Sequence, residues 1–311
     1  MNQTQQTVDK LLVAFREEAK TSTPKKIIFH GVEGYDVYNP TAPFQWNDQT
    51  LMIGRVEKRD SEHSKAIFFQ EKAGEFYRLE GMPEYQLQDP YVSFIGGKIV
   101  FGGTEIYPHP DDATKLAWRA KFYYGEDLLA MEELVTGPRG MKDIRLIELA
   151  NGTVGVFSRP QGERGGRGKI GFTVINKLTD LTAEIIDQAP LLDQFIDEEW
   201  GGCNEATLLS NGKIGVLGHI AKFSEGDVRH YYPMTFCLDA ETGEYSEMKI
   251  IAERCNMLPG PSKRPDLEDV LFSAGLVRVE NGKAILYTGV SDAETQSIEI
   301  PDPFSEYEIY F

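Results

Sequence analysis

The feature that most constrains the fold is a β-hairpin module that recurs five times along the chain. Each copy has a polar residue, an apolar strand, a tight turn and a second apolar strand with a polar end. The copies span residues 38–57, 87–105, 141–160, 202–220 and 268–294. Three of the turns are Asn-Gly, at Asn151, Asn211 and Asn281, and this dipeptide supplies the positive φ angles that two-residue hairpins need. Repetition with a period of about 50 to 70 residues predicts one four-stranded sheet for each copy.

Five such sheets arranged radially make an all-β fold, a five-bladed β-propeller, which we predict as a single domain over residues 26–311. A β-sandwich would explain the hairpins but not why polar residues recur at matching strand ends. Residues 1–25 form an N-terminal extension with a short amphipathic helix, because Val8, Leu11 and Leu12 have helical spacing. This helix would pack on the body of the protein or on a second subunit, and in the second case it would hold a homo-oligomer together.

The acidic composition restricts the partners. The chain of 311 residues has 49 Asp and Glu against 32 Lys and Arg, a net charge of −17. Such a surface repels a phosphate backbone, so we expect no nucleic-acid partner. No stretch approaches the roughly 20 apolar residues that span a bilayer, and the first residues lack the apolar run of a signal peptide. Three cysteines without CxxC spacing suit a reducing compartment, so we predict no membrane partner and a cytoplasmic location.

Propeller geometry predicts where the polar strand ends meet. Inner strands run side by side around a central channel, so equivalent positions at one end of each strand converge on the axis. The strand starts and the far ends of the second strands are therefore expected to face one small cavity. The candidates at the strand starts are Asn39, Asp89, Lys142, Asp143, Asn204, Glu205 and Asp269, and those at the far ends are Arg55, Arg159, His219 and Asp292.

Cleavage of a glycosidic bond needs two carboxylates on either side of a sugar-sized gap. Asp89 is the candidate acid, because neighbouring carboxylates would raise its pKa. If water attacks, a base must activate it, and Asp143, Glu205 and Asp269 are the candidates, with Glu205 ranked slightly ahead. Trp200, which precedes two glycines, is the best candidate for stacking on a sugar ring.

The basic candidates have two interpretations. If these side chains pair with carboxylates, they would form a sugar-binding shell, and if they are unpaired, they would hold inorganic phosphate. The residues concerned are Arg55, Lys142, Arg159 and His219. The residues alone do not choose between these. The histidines lack the paired spacing of a transition-metal site, so we expect no metal and no cofactor.

Several short motifs, in the order in which they follow one another along the chain, resemble those of glycoside hydrolase family 130. The resemblance is that of a distant branch of the family. The matching stretches are residues 38–40, 54–57, 88–90, 142–143, 158–160, 218–219, 270–275 and 286–289. The resemblance runs from about residue 30 to residue 300 and implies a five-bladed propeller that acts on β-mannosides with inversion. It implies that Asp89 is the proton donor, acting in the phosphorylases through a sugar hydroxyl. It also implies that Lys142, Arg159 and His219 bind phosphate and that Arg55 contacts the substrate.

The predicted function is an intracellular carbohydrate-active enzyme that cleaves a short β-mannoside-like glycoside by phosphorolysis or hydrolysis. Its ligand would be a small oligosaccharide or glycoside, with inorganic phosphate as co-substrate in the phosphorolytic case. The predicted substrate-binding residues are Asn39, Arg55, Trp200, Asp269 and Asp292. One alternative is a propeller that binds carbohydrate without catalysis, and another is a platform for protein interactions.

Overall fold

Five groups of mostly antiparallel strands form the blades of a propeller in the computed structural model, which describes residues 5–18 and 22–311, and two of the blades are joined into one sheet. The predicted all-β, five-bladed fold is confirmed. Each sequence repeat supplies the inner hairpin of one blade. Within the described residues, no helix is long and apolar enough to cross a membrane. The cytoplasmic location stays a prediction.

The first two blades follow a short strand, β1 (Lys25–Lys26), that belongs to the fifth blade. The strands of the first blade are β2 (Phe29–His30), β3 (Asp36–Tyr38), β4 (Phe44–Trp46), β5 (Gln49–Glu57), β6 (Ser64–Lys72) and β7 (Glu75–Arg78). Those of the second blade are β8 (Gln88–Ile95), β9 (Lys98–His109), β10 (Asp112–Gly125) and β11 (Glu132–Arg139). Of the predicted polar set, Asn39 directly follows β3 and Asp89 is the second residue of β8.

The third and fourth blades are separated by a helix, α2 (Ala183–Gln188). The strands of the third blade are β12 (Arg145–Glu148), β13 (Val154–Ser158) and β14 (Gly171–Ile175). Those of the fourth blade are β15 (Trp200–Leu208), β16 (Ile214–Phe223), β17 (Arg229–Leu238) and β18 (Lys249–Ile250). Short 3-10 helices lie at Leu178–Asp180, Glu225–Asp227, Arg254–Asn256 and Pro265–Leu267.

The fifth blade contains strands from both ends of the chain. Its strands are β19 (Asp269–Val279), β20 (Lys283–Val290) and β21 (Glu294–Pro301), and a helix, α3 (Ser305–Tyr310), follows. Strand β1 pairs antiparallel with β21, with Lys25 opposite Ser297. Strand β19 also pairs in parallel with β17, which joins the fourth and fifth blades.

The hydrophobic core is divided among the spaces between neighbouring blades. Apolar clusters lie between the first and second blades, the second and third, the third and fourth, the fourth and fifth, and the fifth and first. Because apolar side chains fill these spaces, the polar strand starts are left to face the channel.

The Asn-Gly turns are not all of the predicted two-residue type. At Asn281 and Gly282 both φ angles are positive, at 64° and 68°, as that turn requires. In the turn at Asn151 only Gly152 has a positive φ, and the asparagine side chain accepts the N–H of Thr153 at 3.0 Å. The turn at position 211 is built in the same way. The dipeptide therefore marked each turn correctly but identified its type only once in three.

The N-terminal helix, α1 (Val8–Glu18), packs on the fourth blade of its own chain. Val8, Leu11 and Leu12 are buried in the cluster between the third and fourth blades. The backbone N–H of Val8 donates to the carboxylate of Glu199 at 2.9 Å, and a negative charge is favourable at a helix N-terminus. Of the two expectations for this helix, packing on the body of the protein is confirmed, and assembly through it stays a prediction.

Candidate active site

Polar side chains at the starts and far ends of the inner hairpins line a cavity of about 160 Å³ at one end of the channel, here called the front cavity. Asn39, Asp89, Asp143 and Asp292 all have left-handed backbone, with φ between 44° and 54°. Asn and Asp adopt this conformation more readily than other L residues, and such strain is concentrated at functional sites. The pairing of β8 is also interrupted at Asp89, and a bulge of this kind re-aims a side chain.

The front cavity brings together eight of the predicted site residues. These are Asn39, Arg55, Asp89, Lys142, Asp143, Arg159, His219 and Asp292. Sequence reasoning missed Arg229 among the other lining residues. Arg229 lies on the third strand of its blade, which the hairpin repeat does not describe.

Glu205 does not share this cavity, contrary to the expectation. It lines a separate cavity of about 850 Å³ at the opposite end of the channel, here called the rear cavity. The pairing of β15 shifts between Cys203 and Glu205, so Asn204 and Glu205 do not simply alternate along one face. The N–H of Leu276 donates to the Glu205 carboxylate at 3.2 Å. Burial raises the pKa of Glu205 to about 7.

Asp269 is also outside the front cavity. Its carboxylate lies 2.6 Å from Nδ1 of His230 and accepts from the hydroxyl of Tyr232 at 3.2 Å, both on β17. The next residue, Val270, lines the cavity instead. Because side chains alternate along a strand, Asp269 points to the opposite side from Val270.

Trp200 lies in a wider chamber that opens from the front cavity, here called the outer chamber, with a volume of about 550 Å³. The two spaces share Lys142 and Arg159 in their walls. The Trp200 indole N–H donates to the hydroxyl of Tyr231 at 3.1 Å. Trp200 therefore flanks the cavity from the chamber side and does not line its floor.

Asp89 is held as an anion in the front cavity. The Asn39 amide donates to its Oδ1 at 2.8 Å, and the Arg55 guanidinium donates to the same oxygen at 3.1 Å. Burial alone would raise the pKa of Asp89, but the charges of Arg55 and Lys142 and the Asn39 hydrogen bond outweigh it, so its pKa is below the usual value. The expectation that neighbouring carboxylates would raise this pKa is therefore wrong for the free protein.

The pKa of Asp292, a second carboxyl group in the wall of the front cavity, is shifted in the opposite direction to that of Asp89. Burial raises the pKa of Asp292, and the negative charge of Asp89 adds to this effect, against the opposing charge of Arg55. The front cavity thus contains two carboxyl groups whose surroundings move their pKa values apart, as in sites that carry out acid and base steps.

The third and fourth blades contribute a basic corner. Arg159 is 2% exposed, donates through Nε to the carbonyl of Gly201 at 2.8 Å, and lies 3.2 Å from Asp143. Burial opposes ionisation of Asp143, but Arg159 and Lys142 lower its pKa to about 2. Burial lowers the pKa of His219 to about 3, so its ring is neutral at pH 7.

Comparison with known proteins places the chain in a family. The family model described as "Protein of unknown function (DUF1861)" matches residues 13–306, so the chain belongs to that family. A comparison with curated protein sequences finds no match. Two solved structures from Leishmania mexicana are similar along nearly the whole length.

One of them is MPT-4, a mannose phosphorylase in complex with phosphate ion, with 36% identity, coverage of 96% of this chain and 94% of that chain, and a TM-score of 0.89. The other is MPT-1, a GDP-Man-dependent mannosyltransferase, with 31% identity, coverage of 96% and 95%, and a TM-score of 0.87. The β-1,2-mannobiose phosphorylase of Listeria innocua shares the fold at 15% identity, with coverage of 89% and 93% and a TM-score of 0.59. A structure described as belonging to the GH130 family of mannoside phosphorylases also shares the fold, at 13% identity, with coverage of 92% and 98% and a TM-score of 0.63, so the resemblance to glycoside hydrolase family 130 is confirmed at the level of the fold.

Proposed function

We propose that the protein is an inverting phosphorylase that cleaves a short β-mannoside with inorganic phosphate in the front cavity. The observation that carries the proposal is the pairing of charges there. Asp89 is paired with Arg55, and Asp143 with Arg159, whereas no ion pair among the described residues involves Lys142. An entering anion therefore meets a cation that no carboxylate has neutralised.

The sizes of the two spaces suit a short substrate. A volume of about 160 Å³ corresponds to roughly five waters at about 30 Å³ each, which is the scale of one sugar ring. The outer chamber, with Trp118 and Trp200 in its wall, offers aromatic surface to the part of the substrate that leaves. We place the mannosyl unit in the front cavity, the phosphate beside Lys142 and Arg159, which border both spaces, and the leaving group in the outer chamber.

In the proposed reaction, a phosphate oxygen attacks the anomeric carbon on the face opposite the leaving oxygen. The glycosidic C–O bond breaks, the leaving oxygen takes a proton, and the products are a sugar 1-phosphate and a shortened acceptor. Lys142, Arg159 and His219 hold the phosphate. Asp89 supplies the proton, directly or through a sugar hydroxyl.

The low pKa of Asp89 in the free protein is consistent with a reaction in which phosphate binds before Asp89 takes up its proton. Lys142 is one of the cations that lower this pKa, and a bound phosphate would compensate its charge. The pKa of Asp89 then rises when phosphate is bound, so the carboxyl takes up a proton in the complex that needs it. Asp292, with its raised pKa, is a second carboxyl group that can carry that proton.

Hydrolysis receives less support from the geometry. A water nucleophile needs a base, and two of the three candidates, Glu205 and Asp269, lie outside the front cavity. The third, Asp143, is paired with Arg159 and has a pKa of about 2, which makes it a weak base.

Transfer from a nucleotide-activated mannose is the second candidate function. The outer chamber carries Arg167, Arg229 and Arg264 in its wall, and arginines of this kind bind diphosphates. Arg167 lies 5.0 Å from the ring centre of Phe223 and has no ion pair among the described residues. The similarity to a GDP-Man-dependent mannosyltransferase points the same way.

The test is to incubate the protein with short β-mannosides, with and without inorganic phosphate, and separately with GDP-mannose and mannose. Phosphate-dependent release of α-mannose 1-phosphate supports the proposal. Free mannose released regardless of phosphate would contradict phosphorolysis, and products from GDP-mannose alone would establish the second candidate. Sugar binding without any product would favour a carbohydrate-binding propeller.

A further inference from the structure

We infer that Asn204 and Ser273 fix the ring tautomer of His219, so that its Nε2–H points into the basic corner of the front cavity. The two residues act as positioning residues, because neither lines that cavity. The proposed function enters only in what the N–H binds, and the tautomer itself does not depend on it.

The argument begins with the single proton of the Ser273 hydroxyl. Its oxygen lies 2.6 Å from the carbonyl oxygen of Gly218 and 2.9 Å from the side-chain amide of Asn204. A carbonyl oxygen can only accept, so the hydroxyl proton lies between Ser273 and Gly218. The Ser273 oxygen must then accept its second hydrogen bond, and the Asn204 amide must donate it.

This requirement orients the Asn204 amide. With Oδ1 turned toward Ser273, the hydroxyl would need two protons, and the buried Nδ2 would have no partner. The two ends of an amide are assigned from the network around them. Half a turn about the last side-chain bond places Nδ2 beside Ser273, resolves the conflict and exchanges an unpaired nitrogen for an unpaired oxygen.

The orientation of the amide then determines the proton on His219. The same amide atom lies 2.8 Å from His219 Nδ1. Nδ2 has two hydrogens, so it donates one to Ser273 and the other to Nδ1, which must accept. A neutral imidazole carries one proton, and that proton is therefore on Nε2.

His219 Nε2 is buried and has no hydrogen-bond partner among the described residues, although its ring lines the cavity together with Lys142 and Arg159. The ring stacks on Tyr231, with centres 5.2 Å apart and planes 22° apart. The Nε2–H of His219 is thus a donor of fixed orientation that can bind an oxyanion entering the cavity. The other tautomer would turn a lone pair toward the same anion and repel it.

The first experiment reads the tautomer without any ligand. The full protein is labelled with 15N-histidine, the His219 signals are identified with the His219→Gln variant, and the protonated nitrogen is read from 15N shifts and couplings to the ring protons at pH 7. We expect a neutral ring with the proton on Nε2. A proton on Nδ1 would overturn the inference.

The second experiment tests the two positioning residues. Asp at position 204 can only accept, so Asn204→Asp should move the His219 proton to Nδ1 and weaken phosphate binding. Ser273→Ala frees the amide and should weaken phosphate binding about tenfold, with Ser273→Thr restoring it, since a hydrogen bond to a charged group contributes that much or more. Thermal unfolding confirms that each variant folds.

An unchanged His219 tautomer in a folded Asn204→Asp variant would overturn the inference. A wild-type protein that has Nε2–H but binds no phosphate in calorimetry would support the tautomer and contradict the phosphate site of the proposed function. The two failures are therefore distinguishable.

Discussion

The two ends of the channel are lined by the same five blades but differ in kind. The front cavity is small, and four of its polar side chains, those of Asn39, Asp89, Asp143 and Asp292, come from residues with left-handed backbone. The rear cavity is about five times larger, and its wall is formed mainly by apolar residues of the strand ends. Asn204 and Glu205 both line the rear cavity, yet the side chain of Asn204 also lies 2.8 Å from Nδ1 of His219, which lines the front cavity. The same strands therefore supply side chains to both ends.

The carboxylates of the two ends show what this difference does to their chemistry. In the front cavity, Arg159 and Lys142 lower the pKa of Asp143 to about 2. At the rear, burial raises the pKa of Glu205 to about 7, and the hydrogen bond from the Leu276 N–H and the charge of Arg145 offset this only in part. Arg145 donates instead to the backbone carbonyls of Asn204 and Ile144. The pKa of Asp143 is therefore lowered where a guanidinium lies against it, whereas that of Glu205 is raised where the guanidinium is turned to backbone carbonyls.

The comparison is tested most strongly by Asp89→Asn. We expect turnover to fall about 10³-fold, within the roughly 10²–10⁴-fold that a general acid contributes, while sugar binding is retained. Initial rates of sugar 1-phosphate formation and calorimetry with the mannoside measure the two effects. Glu148→Gln, in the wall of the rear cavity, is the matched control and should turn over like the wild type. Equal losses in both variants would contradict the division between front and rear.

A methyl group at Gly202 should close the basic corner. A Cβ there would lie 2.8 Å from Cδ of Arg159 and 3.1 Å from Cε1 of His219, so one or both side chains must move. We expect Gly202→Ala to lower kcat/KM on the order of 10²-fold, because displacements of about 1 Å have this effect. Ala206→Ser adds one atom in the rear cavity as a control. Unimpaired phosphate binding in Gly202→Ala would show that the corner is not the anion site.

Lys142→Met removes the cation that no carboxylate neutralises. We expect KM for phosphate to rise about tenfold or more with little change in KM for the mannoside, since a hydrogen bond to a charged group contributes about 1.5–3 kcal/mol. Lys142→Arg keeps the charge and should recover part of the loss. If KM for the sugar rises as much as KM for phosphate, Lys142 serves the sugar and the main support for phosphorolysis is lost.

The smallest expected effect lies at the rear. Because the folded protein raises the pKa of Glu205 from 4.5 to about 7, the stability this group contributes is present below pH 4.5 and is lost as the pH rises through 7. Glu205→Gln should remove this dependence and be more stable than the wild type at pH 8 by about 1 kcal/mol, a figure reduced for partial solvent exposure. Urea unfolding at pH 5 and pH 8 measures it. A pH dependence that persists in the variant would assign it to another group.

The sequence was sufficient for the fold because turns and strand alternation are local signals that repeat. It also located eight residues of the front cavity, since equivalent positions in a radial repeat must converge. Glu205 was misplaced because a shift in strand pairing, such as that after Cys203, leaves no mark in the hydrophobic pattern. Asp269 was misplaced because its direction depends on its pairing with His230 of another blade.

The direction of the Asp89 pKa shift could not be predicted for a related reason. Carboxylates and cations were both expected nearby, and their net effect depends on which atoms lie closest. The guanidinium of Arg55 at 3.1 Å and the amide of Asn39 at 2.8 Å decide it. Distances of this kind arise from side-chain conformations in a packed site, and composition and spacing do not encode them.

The pairing of β1 with β21 has a consequence for how the molecule acquires activity. Lys25 and Ser297 meet across nearly the whole length of the chain, and contacts so distant in sequence form slowly, after local hairpins. The front cavity takes Asn39, Asp89, Asp143, His219 and Asp292 from the first, second, third, fourth and fifth blades in turn. No subset of blades can assemble it, so under the proposed function the turnover rate would report on the fraction of molecules in which the ring has closed.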